Sequence, residues 1–317
     1  MLSRTADHLF WMARYTERAE NTARMLDVRV QYSLMPQTAT AAMQGWRTVL
    51  GVSELEQAFD AKYTALTQKE VIDFMVRDPG NPSSIASCLT GARENARAVR
   101  GTLTTEVWET ENTTWLELQH HLKSDVLERN PGQFLQWVKH RSHLSRGVTL
   151  GTMLQDEALS FIRLGTFLER ADNTARILDV KFLAADMIES GNQREFYYLA
   201  ALLRSVSAFE IYRKVYRDAI TPARVADLLV LQPKMPRSLA ACMAAVVANL
   251  GDISNDLSQD TERFAGKLHA TLQFSVIDDI LEQGLHDYLT SFLAAIEELG
   301  NRISCDFLVP AAAEEST

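Results

Sequence analysis

Glycine and proline are scarce. The 317-residue chain holds 14 and 8 of them, about 4% and 3% against the roughly 7% and 5% of average proteins. That disfavours a loop-rich or all-β fold and favours long helices. Cysteine is nearly absent too. Cys88, Cys242 and Cys305 are odd in number and widely scattered, so they exclude a disulfide framework and a CxxC metal knuckle and fit a reducing cytoplasm. The longest apolar run, Leu239 to Ala248, is ten residues, well under the roughly 20 needed to span a bilayer. The start MLSRTADH carries charge at Arg4 and Asp7 and has none of the apolar stretch of a secretory signal. A soluble cytoplasmic protein with no membrane role is expected.

Missing as well are a glycine-rich phosphate loop, a Ser/His/Asp constellation and zinc-ligand spacing, so no metal and no cofactor is expected. There is no basic tract. Residues 1–152 hold 17 Lys+Arg and 17 Asp+Glu, while the remainder holds 15 and 24, which accounts for the whole formal charge of -9. An acidic chain without clustered Lys and Arg is a poor binder of phosphate backbones, which sets nucleic acid aside.

What the chain does contain is a repeat of itself. Residues 17–30 read ERAENTARMLDVRV and residues 169–182 read ERADNTARILDVKF, identical at ten of fourteen positions. At an offset of 154, LTQKEVIDFMVRDPGNPSSIASC from Leu66 and ITPARVADLLVLQPKMPRSLAAC from Ile220 share Thr, Val, Asp, Val, Pro, Pro, Ser, Ala and Cys in register. A period near 150 is a domain and not a solenoid unit. The expectation is therefore an all-α, internally duplicated helical bundle, with two similar halves about a pseudo-twofold axis. Residues 1–152 form the first repeat, 153–308 the second, and 309–317 a flexible tail.

No segment sustains period-2 alternation, and ten to twelve helices are expected. The first runs from about Thr5 to Tyr32, with Leu9, Met12, Tyr15, Ala19, Ala23, Leu26 and Val30 on one apolar stripe. Its mate, about 156–189, carries Phe161, Leu164, Phe167, Ala171, Ala175, Leu178 and Phe182 at equivalent spacings. In each half a Pro-x-x-Pro turn leads to a serine, Ser84 or Ser238, suited to capping the next helix. Cys88 and Cys242 fall at the same repeat position on apolar helices and read as core residues.

The motif helices also have a polar face. Glu17, Glu20, Asn21 and Arg24 lie within roughly 100° of arc, as do Glu169, Asp172, Asn173 and Arg176. This face has changed little between the two copies, although flanking segments have diverged. Two readings fit it. Glu and Arg can pair in a buried network that sets the register of the halves. Alternatively the face lines a cleft, with Arg24 and Arg176 offering guanidinium forks to a carboxylate or phosphate and Glu17 and Glu169 orienting them or acting as acid/base. A second constellation occurs once: Arg93, Arg97 and Arg100 stand at i, i+4 and i+7, whereas the aligned second-half residues are Val247, Gly251 and Ser254. This stripe is a candidate anion site converging with the Glu17 face, or else a salt-bridged surface. KHRSHLSR at 139–146 adds basic residues and a weak His140/His143 pair. Asp252, Asp256 and Asp260, with Asp278, Asp279 and Glu282, have the oxygen chemistry of a Mg²⁺ site but read more readily as acidic helix ends.

These strings resemble the bacterial alpha-E domain family, helical proteins with a Glu-Arg motif. The resemblance rests on LSRTADHLFWMARYTERAENTAR, on ARENARAVRGTLTTEVWETEN from Ala92, on FIRLGTFLERADNTARILDVKF and on PKMPRSL from Pro233, so it spans nearly the whole chain. Glu17, Arg18, Glu169 and Arg170 then hold the motif positions. The resemblance implies association with circularly permuted ATP-grasp and transglutaminase-like proteins in a peptide- or amide-bond-forming system, and it brings no catalytic residue. Three readings follow: a non-catalytic partner of an amide ligase, binding an anionic ligand or an acidic segment; an enzyme, or part of one, that handles an acyl-phosphate or carboxylate; and a Mg²⁺-dependent prenyl-diphosphate enzyme.

Overall fold

Helix follows helix along the chain, in keeping with its shortage of breakers. The computed structural model describes residues 1–185 and 193–308, and among them there is no strand. The helices are α1 (Ser3–Ser33), α2 (Ala39–Val52), α3 (Glu56–Asp60), α4 (Gln68–Val76), α5 (Ile85–Ala98), α6 (Thr105–Lys123), α7 (Val126–Arg129) and α8 (Pro131–Thr152). They continue as α9 (Glu157–Ala185), α10 (Gln193–Ser205), α11 (Phe209–Val215), α12 (Pro222–Val230), α13 (Leu239–Asp252), α14 (Gln259–Phe274), α15 (Ile277–Gln283) and α16 (Leu285–Ile303), with a π turn over Ser304–Leu308. Among the described residues sixteen α-helices exceed the ten to twelve expected. The surplus lies in α3, α7, α11 and α15, four to seven residues long, too short to show a periodic stripe. No described helix is long and apolar enough to cross a membrane. The tail expected at 309–317 and the end of the 156–189 helix beyond Ala185 lie outside the described residues.

Local chemistry sets the boundaries. Ser84 Oγ accepts from Ser87 N at 3.2 Å and Ser238 Oγ from Ala241 N at 3.0 Å, so each proline turn is closed by the expected cap. Thr67 and Thr221 cap α4 and α12 in the same way. Pro131 and Pro222 occupy the first turn of their helices, where a missing N–H costs nothing.

α1 and α9 are the axis of the bundle. They lie against each other; α5 and α8 pack on α1, and α13 and α16 pack on α9. Contacts climb both helices together, from the Met1 ammonium on Glu157 (2.7 Å) to Arg14 on Glu169 (2.8 Å), so the two run in the same direction. Their apolar stripes are buried as the periodicity predicts, with Leu9, Ala19, Ala23, Leu26, Leu164, Ala171, Ala175 and Leu178 all essentially inaccessible. Small residues allow the close approach. A Cβ on Gly165 would lie 2.3 Å from the carbonyl oxygen of Phe10 and 3.3 Å from Ala13 Cβ. Buried apolar side chains from both halves form one contiguous core.

Candidate functional site

The polar face of α1 is buried as well as its apolar face, because α8, α9 and the start of α13 cover it. Glu17, Glu20, Asn21 and Arg24 are each at most 7% exposed, and Glu169 and Arg170 at most 6%. Glu17 accepts from Arg170 twice (Nε, 3.0 Å; Nη2, 2.9 Å), from Arg237 Nη1 at 2.7 Å and from Arg146 Nη2 at 3.0 Å. Glu20 accepts from Arg237 Nη2 (2.6 Å) and Ser142 Oγ (2.7 Å), and is paired with Arg24, Arg146 and His143. Asn21 Oδ1 takes the other hydrogen bond of Arg237 Nη1, at 2.9 Å. Four guanidinium groups thus surround two carboxylates. Burial alone would raise the Glu17 and Glu20 pKa values; the guanidinium groups, Arg170 and Arg237 foremost for Glu17 and Arg237 for Glu20, outweigh it and hold both well below the ordinary carboxylate range.

The second motif copy completes a reciprocal exchange. Arg18 donates to Glu169 through Nε (2.5 Å) and Nη2 (3.0 Å), just as Arg170 donates to Glu17. Each Glu-Arg pair gives its carboxylate to the other helix and its guanidinium to the other carboxylate. A second exchange lies further along: Arg24 binds Ser207, and Arg176 Nη1 lies 2.5 Å from Glu54 Oε1 while its Nε holds Asp172 at 2.9 Å. Glu54 and Ser207 occupy matching connector positions in the left-handed region, with φ of 55° and 54°. Asn173 is half-buried and makes no side-chain hydrogen bond among the described residues.

Arg93, Arg97 and Arg100 do not converge with the Glu17 face. α5 turns them toward α6, where Arg93 lies 4.8 Å from the ring centre of Trp115 and 5.7 Å from that of Trp108, and Arg100 lies 5.3 Å from Trp108. Arg93 also bonds Asn112 (3.2 Å), and Glu94 bridges Arg93 and Arg97. Arg97 and Arg100 are exposed, the Arg97 side chain to 62%. α5 ends at Ala98, so Arg100 stands past the helix. The result is an exposed arginine-tryptophan ledge rather than a cleft.

A cleft lies elsewhere, between α1, α8 and α9. It is a cavity of about 160 Å³ whose walls include Glu17, Arg146, Arg163 and Arg170 together with Met12, Thr149, Leu159, Ile162 and Phe167. Four residues of the ion-pair network and of this cavity, Arg237, His143, Arg146 and Arg163, were not candidate site residues in the sequence. Arg237 sits between Pro236 and the capping Ser238, and its signal was a charge beside the cap of an otherwise apolar helix. Arg146 and His143 share one face of α8 at i, i+3, which was visible only as a weak basic cluster. Arg163 carried no signal. The acidic residues of the second half stand apart at exposed helix ends: Asp260 pairs with Arg263, and Asp278 and Asp279 sit in the first turn of α15. Among the described residues no group of three His, Cys, Asp or Glu is placed to hold a metal ion. Cys88 and Cys242 are fully buried, and burial pushes both thiols up to about 12.

A family model described as a predicted α-helical domain with a conserved ER motif matches residues 1–308. The reciprocal ion pairs join two Glu-Arg dipeptides of this chain, Glu17–Arg18 and Glu169–Arg170. Among curated relatives, an uncharacterized protein of Mycobacterium bovis and one of Mycobacterium tuberculosis are each 25% identical over 327 residues. The alignments cover 92% of this chain and 35% of either relative, so the chain spans about a third of their length. No solved structure matches the chain.

Proposed function

The chain belongs to the Alpha-E family, and from that premise we propose that it is a cytoplasmic, non-catalytic partner in an ATP-grasp and transglutaminase-like system that makes peptide or amide bonds. One observation carries the reading: the charged residues of the family motif are engaged in internal ion pairs, Glu17 with four donated hydrogen bonds and Glu169 with three. A carboxylate held ionised and fully ligated is a poor general acid or base, because it has no proton to give and no free lone pair to take one. The motif therefore shapes a rigid body, and recognition falls to the surface. The arginine-tryptophan ledge of α5 and α6 is suited to it. Its guanidinium groups outnumber Glu94 by three to one, and Arg93 and Arg100 lie over indole rings, which pre-orders them for an acidic segment or a carboxylate, while Arg97 stands open beside them.

The rigid body is read as two repeats, 1–152 and 153–308, about a pseudo-twofold axis along α1 and α9. Support comes from the reciprocal pairs and from eight helices in each half with matching order, α4 and α12, and α5 and α13, being offset by 154 residues at both ends. The test is capture from the native host with tagged parent and Arg97→Glu chains. The parent is expected to retain an ATP-grasp protein and Arg97→Glu to lose most of it. Capture of no ATP-grasp protein above a tag-only control refutes the partnership; equal capture by both chains refutes the ledge.

A further inference from the structure

We propose that the cavity between α1, α8 and α9 is a binding site for a small monocarboxylate with a compact apolar body. It is a different surface from the α5–α6 ledge, and the inference stands whether or not that ledge docks a partner. Each helix presents one face to it: Met12 and Glu17 from α1, Arg146 and Thr149 from α8, and Leu159, Ile162, Arg163 and Phe167 from α9. The volume of about 160 Å³ resembles the roughly 150 Å³ of an apolar cavity that takes up benzene. Unlike that cavity, this one has a charged end.

Hydrogen-bond donors are in surplus there. Arg146 gives only Nη2 to Glu17 and Glu20; its Nε and Nη1 donate to nothing among the described residues, and its side chain is 32% exposed. Arg163 makes no ion pair among the described residues and lies 5.9 Å from the ring centre of Phe167. Thr149 is only 5% exposed, yet its hydroxyl makes no hydrogen bond among the described residues. The hydroxyl oxygen is not among the fully buried atoms that lack a partner, so it reaches the accessible space of the cavity without an acceptor. Glu17 cannot supply one, since its two oxygens already accept four hydrogen bonds. Three guanidinium groups against one carboxylate leave the cavity electropositive, which excludes a cation and calls for an anion.

The walls select the class of anion. The free edge of Arg146 or the fork of Arg163, together with the Thr149 hydroxyl, suits the two oxygens of a carboxylate. A phosphate dianion brings more oxygens to desolvate beside Met12, Leu159 and Ile162, so the small anion with an apolar body is the better match. The apolar wall is instead suited to a short acyl chain or an aromatic ring.

The probes are hexanoate, benzoate, uncharged hexanol and inorganic phosphate, titrated calorimetrically into the parent, Arg163→Gln and Thr149→Val chains. Hexanoate and benzoate are expected to bind the parent with Kd near or below about 1 mM, hexanol and phosphate at least roughly tenfold more weakly, and each variant to lose about tenfold toward the carboxylates. Neither substitution removes an internal hydrogen bond, so thermal melts of the free variants should match the parent and exclude misfolding as the cause of lost binding. The proposal is overturned if neither carboxylate binds, if hexanol binds as well as hexanoate, if phosphate binds as well as either acid, or if both variants bind the acids as the parent does.

Discussion

Glu17→Gln tests the physical role of the Glu-Arg motif most directly. The substitution keeps the shape of the side chain and removes its charge, leaving Arg170, Arg237 and Arg146 without the carboxylate on which they converge. One amide oxygen can still accept, but the new amide NH₂ meets guanidinium N–H groups and has nothing to donate to. Removing one partner of a buried ion pair costs about 3 to 5 kcal/mol, because the remaining charge stays desolvated. For a chain of this length that corresponds to a fall in Tm of roughly 4 to 8 °C. Arg97→Gln, which breaks the exposed pair with Glu94, should cost no more than about 1 kcal/mol and serves as the reference. Acid titration gives a second reading of the same network. Glu17 and Glu20 are held below their ordinary 4.5 in the folded chain, so their stabilisation is fully present above that value and is lost as pH falls toward the depressed folded values. The parent should therefore lose Tm steeply below pH 4.5, and Glu17→Gln should show a shallower decline. If Glu17→Gln melts within a degree of the parent at pH 7 and follows the same acid profile, the network does not hold α1 to α9 and α13.

Gly165→Ala places a methyl group 2.3 Å from the Phe10 carbonyl, so α1 and α9 must part, and a loss of about 1 to 3 kcal/mol is expected in denaturant melts. Gly147→Ala on the exposed side of α8, where an added Cβ meets nothing within 4 Å, should instead stabilise by roughly 0.5 to 1 kcal/mol. Equal responses would contradict the close helix crossing. Glu111 is fully buried; burial raises its pKa, with Ser145 and Arg141 opposing only in part. For an acid raised on folding the penalty appears as pH climbs past the unfolded value, so Glu111→Gln should raise Tm at pH 7 to 8 and leave it unchanged near pH 4. A uniform loss at every pH would assign Glu111 an ionised structural role instead.

Much of this protein was legible in residue order, because helix formation depends on neighbours three and four positions away. The stripe from Leu9 to Leu26, its mate from Leu164 to Leu178, the proline turns and the serine caps at 84 and 238 all follow from local spacing, and the structure places them as read. The short helices α3, α7, α11 and α15 were not legible, since fewer than about two turns carry no period. Tertiary packing decided the rest. Periodicity shows that Glu17, Glu20 and Arg24 share a face, but whether that face meets water or another helix depends on chain more than a hundred residues away. Arg146, Arg170 and Arg237 reach Glu17 across 129, 153 and 220 positions, separations that no local pattern encodes. The same limit turned the Arg93 stripe onto Trp108 and Trp115, because the face of α6 against α5 is set by how the two helices dock. It also hid the cavity. Arg163 and Thr149 are unremarkable in their own helices and acquire meaning only where three helix faces meet around one cavity and leave donors without acceptors.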